Sequence, residues 1–495
     1  MTRALAAFVL TAGCVLAGCA VLTGCATRPA PLVDTAVLAA ADVESLVSRG
    51  CYRCLESAFA KAVAAGLREQ AFEAALLLAA RSKELGLPHA RWIEAARGTL
   101  PASTAPASTM PASTAPAAGA GWHKFIDIVL SIPLDPFSGD RDALLIENAA
   151  TRRPRPVLEQ WRRELAAGPG SSLLRSYLDL ALACGPLLYE ERDAASDAAL
   201  RLHPGVALVQ YRVGICGRTT LLTDLLQRIP DFADAEFELG RVALQRERAD
   251  QEEALRRFGA AHSAFPASPT IASAIGSVRQ DREEWEEALD AYDAALASVP
   301  THRDALLGRT VSLSRLARHP EAMEAATTLI DLGSWFISDA YYWRAWNAYQ
   351  MNDVAAARAD VDRSKAGFRS PAALLLSGVI AWREREVPFA ETEFEAALAA
   401  DFGYCEAALY LGEARAERRR WEDSLAAFQH AEQCFTLAIE TGSKAVEQLS
   451  ATEASAQSNA RQIASHQRTV ADAERRRASA IQRTSSIRAQ VKSTR

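Results

Sequence analysis

Beyond residue 22 the sequence has no apolar run long enough to cross a bilayer, so its body contains no expected membrane span. β-branched runs are scarce and aromatic residues make up only 7% of the chain, which disfavours sheets. The eight histidines are scattered, with no His-Glu-x-x-His pair for zinc, and there is no Gly-x-Ser-x-Gly nucleophile elbow. Gly214-Ile215-Cys216-Gly217-Arg218-Thr219-Thr220 fails as a phosphate-binding loop: Arg212 stands where the first Gly is needed, Arg replaces Lys, and no strand precedes it. The numerous Asp and Glu fall on solvated helix faces. No catalytic residue, metal or cofactor is expected; a hydrolase site confined to 122–230 is the alternative reading from another class.

What is abundant is alanine. The 495 residues are 49% hydrophobic and 23% charged, enough for two or more cores or one elongated solenoid. An Ala-dominated apolar fraction favours closely packed helices, so the expected class is all-α.

The chain opens Met1-Thr2-Arg3, followed by an apolar stretch from Ala4 to Leu22 that reads as a secretory signal. Leu16-Ala17-Gly18-Cys19 and Leu22-Thr23-Gly24-Cys25 both resemble the bacterial lipobox, whose Cys thiol takes a lipid. Cys25 is preferred because Ala26-Thr27-Arg28-Pro29-Ala30-Pro31 then forms a polar tether; Cys19 leaves a more typical signal length. The expected organisation is a signal peptide over 1–25, a tether over 26–40 and an N-terminal helical hairpin region over 41–99. Pro-Ala-Ser-Thr-Ala, present three times with Met110 replacing one Ala, offers almost nothing large to bury and reads as a linker over 100–121.

Export implies an oxidising compartment. Setting aside Cys14, Cys19 and Cys25 leaves Cys51, Cys54, Cys184, Cys216, Cys405 and Cys434 of the nine. Six cysteines allow 15 connectivities. In a helical pair the start of the first helix lies near the end of the second, which favours 405 with 434. Cys184 and Cys216 fit the ends of first helices in neighbouring pairs, and Cys51 and Cys54, three apart in a helical turn, can bridge locally.

A repeat emerges after residue 230. Ala254, Ala288, Ala322, Ala357, Ala390 and Ser424 are 34, 34, 35, 33 and 34 residues apart. Phe258, Tyr292, Phe394 and Phe428 follow four residues after their anchors, and Leu239-Gly240, Ile275-Gly276, Leu307-Gly308, Ser377-Gly378 and Leu411-Gly412 precede them. Trp346 stands where the others have Gly, and the repeats around Gly240 and Gly308 read as two residues longer before their second helix. This pattern resembles the tetratricopeptide family and covers six repeats over 231–434, with divergent repeats expected over 122–230. The resemblance implies a right-handed superhelical solenoid of helix-turn-helix repeats whose concave face, lined by first helices, takes a protein or peptide partner. Carried over repeat by repeat, the groove positions are Phe237, Arg241, His302, Arg309, Trp343, Asn347, Gln350, Leu375, Trp382, Arg383, Leu409, Glu413 and Glu417.

Residues 443–495 contain no Gly or Pro. From Ser455 onward nine Lys and Arg face two acids, so this end carries +7 in a chain whose total is −6. Leu449, Ala456, Ile463 and Val470 recur every seven residues, which predicts one long helix within a basic C-terminal segment over 435–495. Such a helix suits a capping role, an acidic partner or anionic lipid. Nucleic acid is not an expected partner outside the cytoplasm. Together, the lipobox and tetratricopeptide resemblances imply a lipid-anchored interaction scaffold or assembly factor facing the bacterial periplasm, at the outer membrane.

Overall fold

A computed structural model describes residues 35–100, 120–131, 155–184, 189–230, 232–245, 250–333, 337–451 and 460–494. The expected signal peptide with Cys19 and Cys25, most of the tether and most of the 100–121 linker lie outside the described residues. Among the described residues the regular structure is entirely helical, and no helix is long and apolar enough to cross a membrane.

The N-terminal helices are α1 (Thr35–Ala40), α2 (Val43–Arg49), α3 (Tyr52–Ala64), α4 (Arg68–Glu84), α5 (Ala90–Gly98), α6 (Ala120–Ser131) and α7 (Arg155–Ala167). Antiparallel pairs follow: α8 (Ser172–Ala183) with α9 (Tyr189–Leu202), and α10 (Ala207–Ile215) with α11 (Thr220–Arg228). Next are α12 (Ala233–Leu244) with α13 (Gln251–Ala264), α14 (Pro269–Asp281) with α15 (Trp285–Ser298), and α16 (Arg303–Arg315) with α17 (His319–Asp331). The last pairs are α18 (Ile337–Gln350) with α19 (Val354–Gly367), α20 (Pro371–Arg383) with α21 (Val387–Ala400), and α22 (Cys405–Glu417) with α23 (Trp421–Leu449). α24 (Ala460–Thr494) ends the fold.

Local chemistry starts and stops these helices. Ser268 and Ser370 cap α14 and α20 by accepting the Ile271 and Ala373 N–H, and the Pro at the next position has no donor to waste. Between the helices of five pairs one residue sits in the left-handed region: Glu283, Ala317, Asn352, Arg385 and Arg419, at φ 56° to 67°. These turns use side-chain-bearing residues where glycine is commonest.

Within pairs, small residues meet rings. An added Cβ would come within 2.6 Å of Phe258 at Gly240, 2.7 Å of Tyr292 at Gly276 and 2.7 Å of Phe428 at Gly412; Gly378 lies equally close under Phe394. The six anchors from Ala254 to Ser424 are fully buried. Two expectations need correcting. Ala345, not Trp346, takes the small-residue place in its pair: it is fully buried in a cluster with Ala357 and Val361, while Trp346 is half-buried beside them. Gly308 is likewise not the register residue of its pair. The turn from α16 to α17 matches that from α14 to α15, which puts Thr310 at the place of Gly276. Gly308 instead faces back to Tyr292 of the preceding pair, whereas the longer connection after Gly240 is real.

The tail also departs from expectation, forming two helices rather than one. α23 runs to Leu449, and α24 packs back against it, burying Ala473 and Ala480 beside Phe435 and Cys405. Folding back covers apolar surface that a single solvated helix would expose.

Candidate partner-binding site

Successive first helices from α14 to α22 touch one another, whereas successive second helices stand further apart. The row therefore bends with its first helices on the inner side. This inner face is not open along its whole length.

At its start the face is filled by α4. Thirteen of the 17 residues of α4 are buried, including charged ones, because Ala74 to Ala80 is apolar on every side and the helix lies across α8, α10 and α12. The Arg81 guanidinium, fully buried, lies 3.6 Å from the centre of the Tyr211 ring, with its Nη2 2.9 Å from Asp234 and its Nε 3.1 Å from Glu84. Glu84 also accepts from the Tyr177 hydroxyl at 2.6 Å and pairs with Arg212 at 2.9 Å. Burial opposes the charge on Arg81, yet Asp234, the two tyrosines and Glu84 together hold its pKa well above the ordinary value. Burial pushes the Asp234 carboxyl up despite Arg81. Arg81 itself stays charged, because a guanidinium does not surrender its proton. Further along, the Ser268 hydroxyl donates to the Leu85 carbonyl, and Tyr52 meets Phe265 edge-on at 5.7 Å.

At the other end, α24 reaches the last first helix: Arg483 pairs with Glu413 at 2.8 Å and Arg476 with Glu406 at 3.5 Å. Arg468, near the start of α24, also comes within 3.9 Å of Glu283 in the turn after α14. Between these contacts α16, α18 and α20 still present exposed Arg315, Gln350 and Arg383.

The groove positions inferred from sequence separate on this geometry. Phe237 is buried against Phe258, with ring centres 5.6 Å apart, so it is a core residue rather than a contact surface. Arg241 is tied to Glu238 at 2.8 Å. His302 is a buried N-cap whose Nδ1 accepts the Ala305 N–H. Asn347 is fully buried and joins three helices, donating to Ser314 at 2.7 Å and to the Trp343 carbonyl at 2.6 Å while facing His319 Nδ1 at 2.8 Å. Buried Phe237, His302 and Asn347 are corrected to structural roles, whereas Arg241 stays half-buried and engaged within its own helix. Leu409 packs with the cluster under α24, and Glu413 is taken by Arg483. Arg309, a quarter exposed, pairs with Asp293. Leu375, Trp343 and Trp382 are half-buried, and Gln350, Arg383 and Glu417 are exposed. The Trp382 indole donates to Glu417 at 2.7 Å, and Arg383 lies over Tyr349.

Six consecutive pairs, α12 to α23, carry a fully buried anchor at a recurrence of about 34 residues, with first helices facing inward. The chain is an all-α solenoid of helix pairs with the recurrence and register of tetratricopeptide repeats. No family model matches the sequence, and no curated protein matches it. Among solved structures, the chain is similar to pilF of Pseudomonas aeruginosa (21% identity, 41% of this chain and 90% of that one, TM-score 0.37). It is also similar to YrrB, described as a TPR protein with an unusual peptide-binding site (18% identity, 36% and 91%, TM-score 0.30). A third similar structure is the APC/C hetero-tetramer Cut9-Hcn1 (14% identity, 87% and 90%, TM-score 0.37).

The solenoid joins Cys51 to Cys54, Cys184 to Cys216 and Cys405 to Cys434, with Cα atoms 5.0, 5.2 and 5.4 Å apart. Cys184 and Cys216 end the first helices α8 and α10. In the divergent segment, the Ser176 hydroxyl and His203 Nε2 are 3.1 Å apart, but among the described residues no carboxylate orients that imidazole. A nucleophile would need that third group. Gly214 packs within α10 against Leu222, consistent with the failed phosphate-loop reading. The covering of the inner face by α4 was missed, although the all-round apolar run Ala74–Ala80 carries its signal.

Burial pushes the His302 imidazole down to about 4. The unfolded chain, with a His pKa near 6.5, takes up this proton first, so the stability contributed by neutral His302 is complete above about pH 6.5 and is lost as pH falls towards 4. At pH 5 the loss is about 2 kcal/mol. Asn at this place keeps the cap without titrating. His302→Asn should therefore flatten the fall in Tm between pH 7 and pH 5; an unchanged slope would show that other groups govern it.

Proposed function

We propose that this chain is a protein-binding scaffold or assembly factor of the bacterial cell envelope. It holds a partner segment along the inner face over α16, α18 and α20. The observation that carries this reading is the run of half-buried Trp343 and Trp382 with exposed Gln350 and Arg383 on successive first helices. Aromatic and Arg side chains of this kind concentrate binding energy at interfaces. The small residues and rings that stack the repeats are consumed by packing and leave this face to the partner.

Affinity capture from envelope extracts with the mature protein, followed by titration of the captured partner, tests the site. Replacing Trp343 and Arg383 with Ala should weaken binding by about 2 kcal/mol or more, roughly thirtyfold, with the helical signal intact. Binding that survives this double substitution but is lost when Arg475 and Arg488 of α24 are replaced would move the site to the basic helix.

The same proposal places the protein at the outer membrane, facing the periplasm and held by a lipid on Cys25, with Cys19 as the alternative. Cys19→Ala with Cys25→Ala should release it to the soluble fraction. A double variant that still matures and fractionates with membranes would remove the lipid anchor from the proposal.

A further inference from the structure

Several arginines of these repeats are already neutralised. Arg309 pairs with Asp293, Arg344 with Asp360 at 2.7 Å, and Arg358 with Glu386. Arg315 and Arg383 differ. Both are exposed, each is the last residue of a first helix, and among the described residues neither meets a carboxylate. Arg315 stands between two indoles, 5.8 Å from the Trp285 ring centre and 5.5 Å from that of Trp343. Arg383 lies 5.5 Å from the Tyr349 ring centre and is bonded to Asn352. Aromatic support fixes a guanidinium's plane, which lowers the ordering cost of binding an oxyanion, although one Nη of Arg383 is engaged by Asn352.

The two cations flank α18 on either side, one from α16 and one from α20. Exposed Gln350, the last residue of α18, lies between them in the sequence of helix ends. Packed neighbouring helices lie about 9 Å apart, so two such steps separate the arginines by roughly 18 Å, the span of five or six extended residues.

We infer that this face recognises an acidic peptide segment, with carboxylates about five or six residues apart engaging Arg315 and Arg383 and the intervening chain crossing α18. This rests on the proposed partner groove and specifies the chemistry of what fills it. An anionic segment supplies the two counter-charges that the fold omits, and each guanidinium can meet a carboxylate through two parallel N–H donors. Such a contact also steers association, so it weakens with salt.

Fluorescence anisotropy of fluorescein-labelled octaglutamate on the full chain tests the inference, with octaglutamine and octalysine as comparison probes. Octaglutamate alone should bind, and more weakly at 300 mM than at 50 mM salt. Arg315→Gln with Arg383→Gln should weaken it at least tenfold, with an unchanged circular dichroism spectrum. Arg488→Gln with Lys492→Gln on α24 should leave it unchanged. Absence of octaglutamate binding, equal binding of octaglutamine, indifference to the Arg315 and Arg383 substitutions, or loss through the α24 variant would each overturn the inference. Capture of the envelope partner separates the two readings. If Trp343→Ala weakens capture and Arg315→Gln does not, the groove stands and its acidic specificity falls; if neither does, both fall.

Discussion

Arg81→Ala should lower the stability of the protein by about 4 kcal/mol, because removing one member of a buried ion pair leaves the other charged and unsolvated. The stranded groups would be Asp234, 1% exposed, and Glu84, 3% exposed, each losing its guanidinium contact. Glu84 keeps Arg212 and the Tyr177 hydroxyl, so Asp234 should carry most of the penalty. The effect should be local as well as large, since Arg81 ties the helix filling the inner face to the first helix of the six-repeat array. Hydrogen exchange would then show α4 and the start of α12 losing protection before α18 to α22. A compensating pair, Arg81→Met with Asp234→Leu, should recover much of the loss, because dry apolar packing commonly matches a buried ion pair in stability. Chemical denaturation of the three proteins measures both steps. A loss below about 1 kcal/mol for Arg81→Ala would mean that the cluster is solvated and does not hold α4 in place.

The second large effect concerns Tyr292. Its ring, 3% exposed, rests on Gly276 of its own pair and Gly308 of the next, so one side chain fills two inter-helix contacts. Tyr292→Ala should cost roughly 3 to 5 kcal/mol through lost burial and the cavity left behind. Tyr292→Phe should cost much less, since the hydroxyl makes only a 3.3 Å bond to Gln280. Gly308→Ala gives a reversed sign that propensity alone would not produce. Exchanging Gly for Ala within a helix ordinarily stabilises by about 0.5 to 1 kcal/mol, but here the new methyl would enter the ring of Tyr292. Thermal unfolding in which Gly308→Ala raised the Tm would refute the interlock between these pairs.

The repeat was legible because periodicity records a contact made again and again. Every second helix must present a small residue to its first helix, so Ala254 through Ser424 announce themselves without coordinates. Register within the first helices was less legible. Gly308 and Trp346 each lie close to the expected small place, and only the helix boundaries show that Thr310 and Ala345 occupy it. The groove positions failed where a family template could not know local partners. Asn347 looks like a polar contact in a list of positions, but it is consumed by Ser314, Trp343 and His319. The left-handed turn residues were not anticipated, since Glu283, Ala317, Asn352, Arg385 and Arg419 share no side-chain chemistry.

By itself the sequence determined the all-α class and the pairing of helices at a 34-residue recurrence, because both depend on contacts between residues close along the chain. It also carried the candidate lipid-bearing cysteines, which are local motifs. Tertiary structure decided which part of the inner face is covered. That choice depends on α4 reaching Asp234, about 150 residues away, and on α24 folding back onto α22 and α23. No periodicity encodes such encounters: they arise because an all-round apolar helix and a basic amphipathic one each need a surface to cover, and the solenoid supplies one at either end.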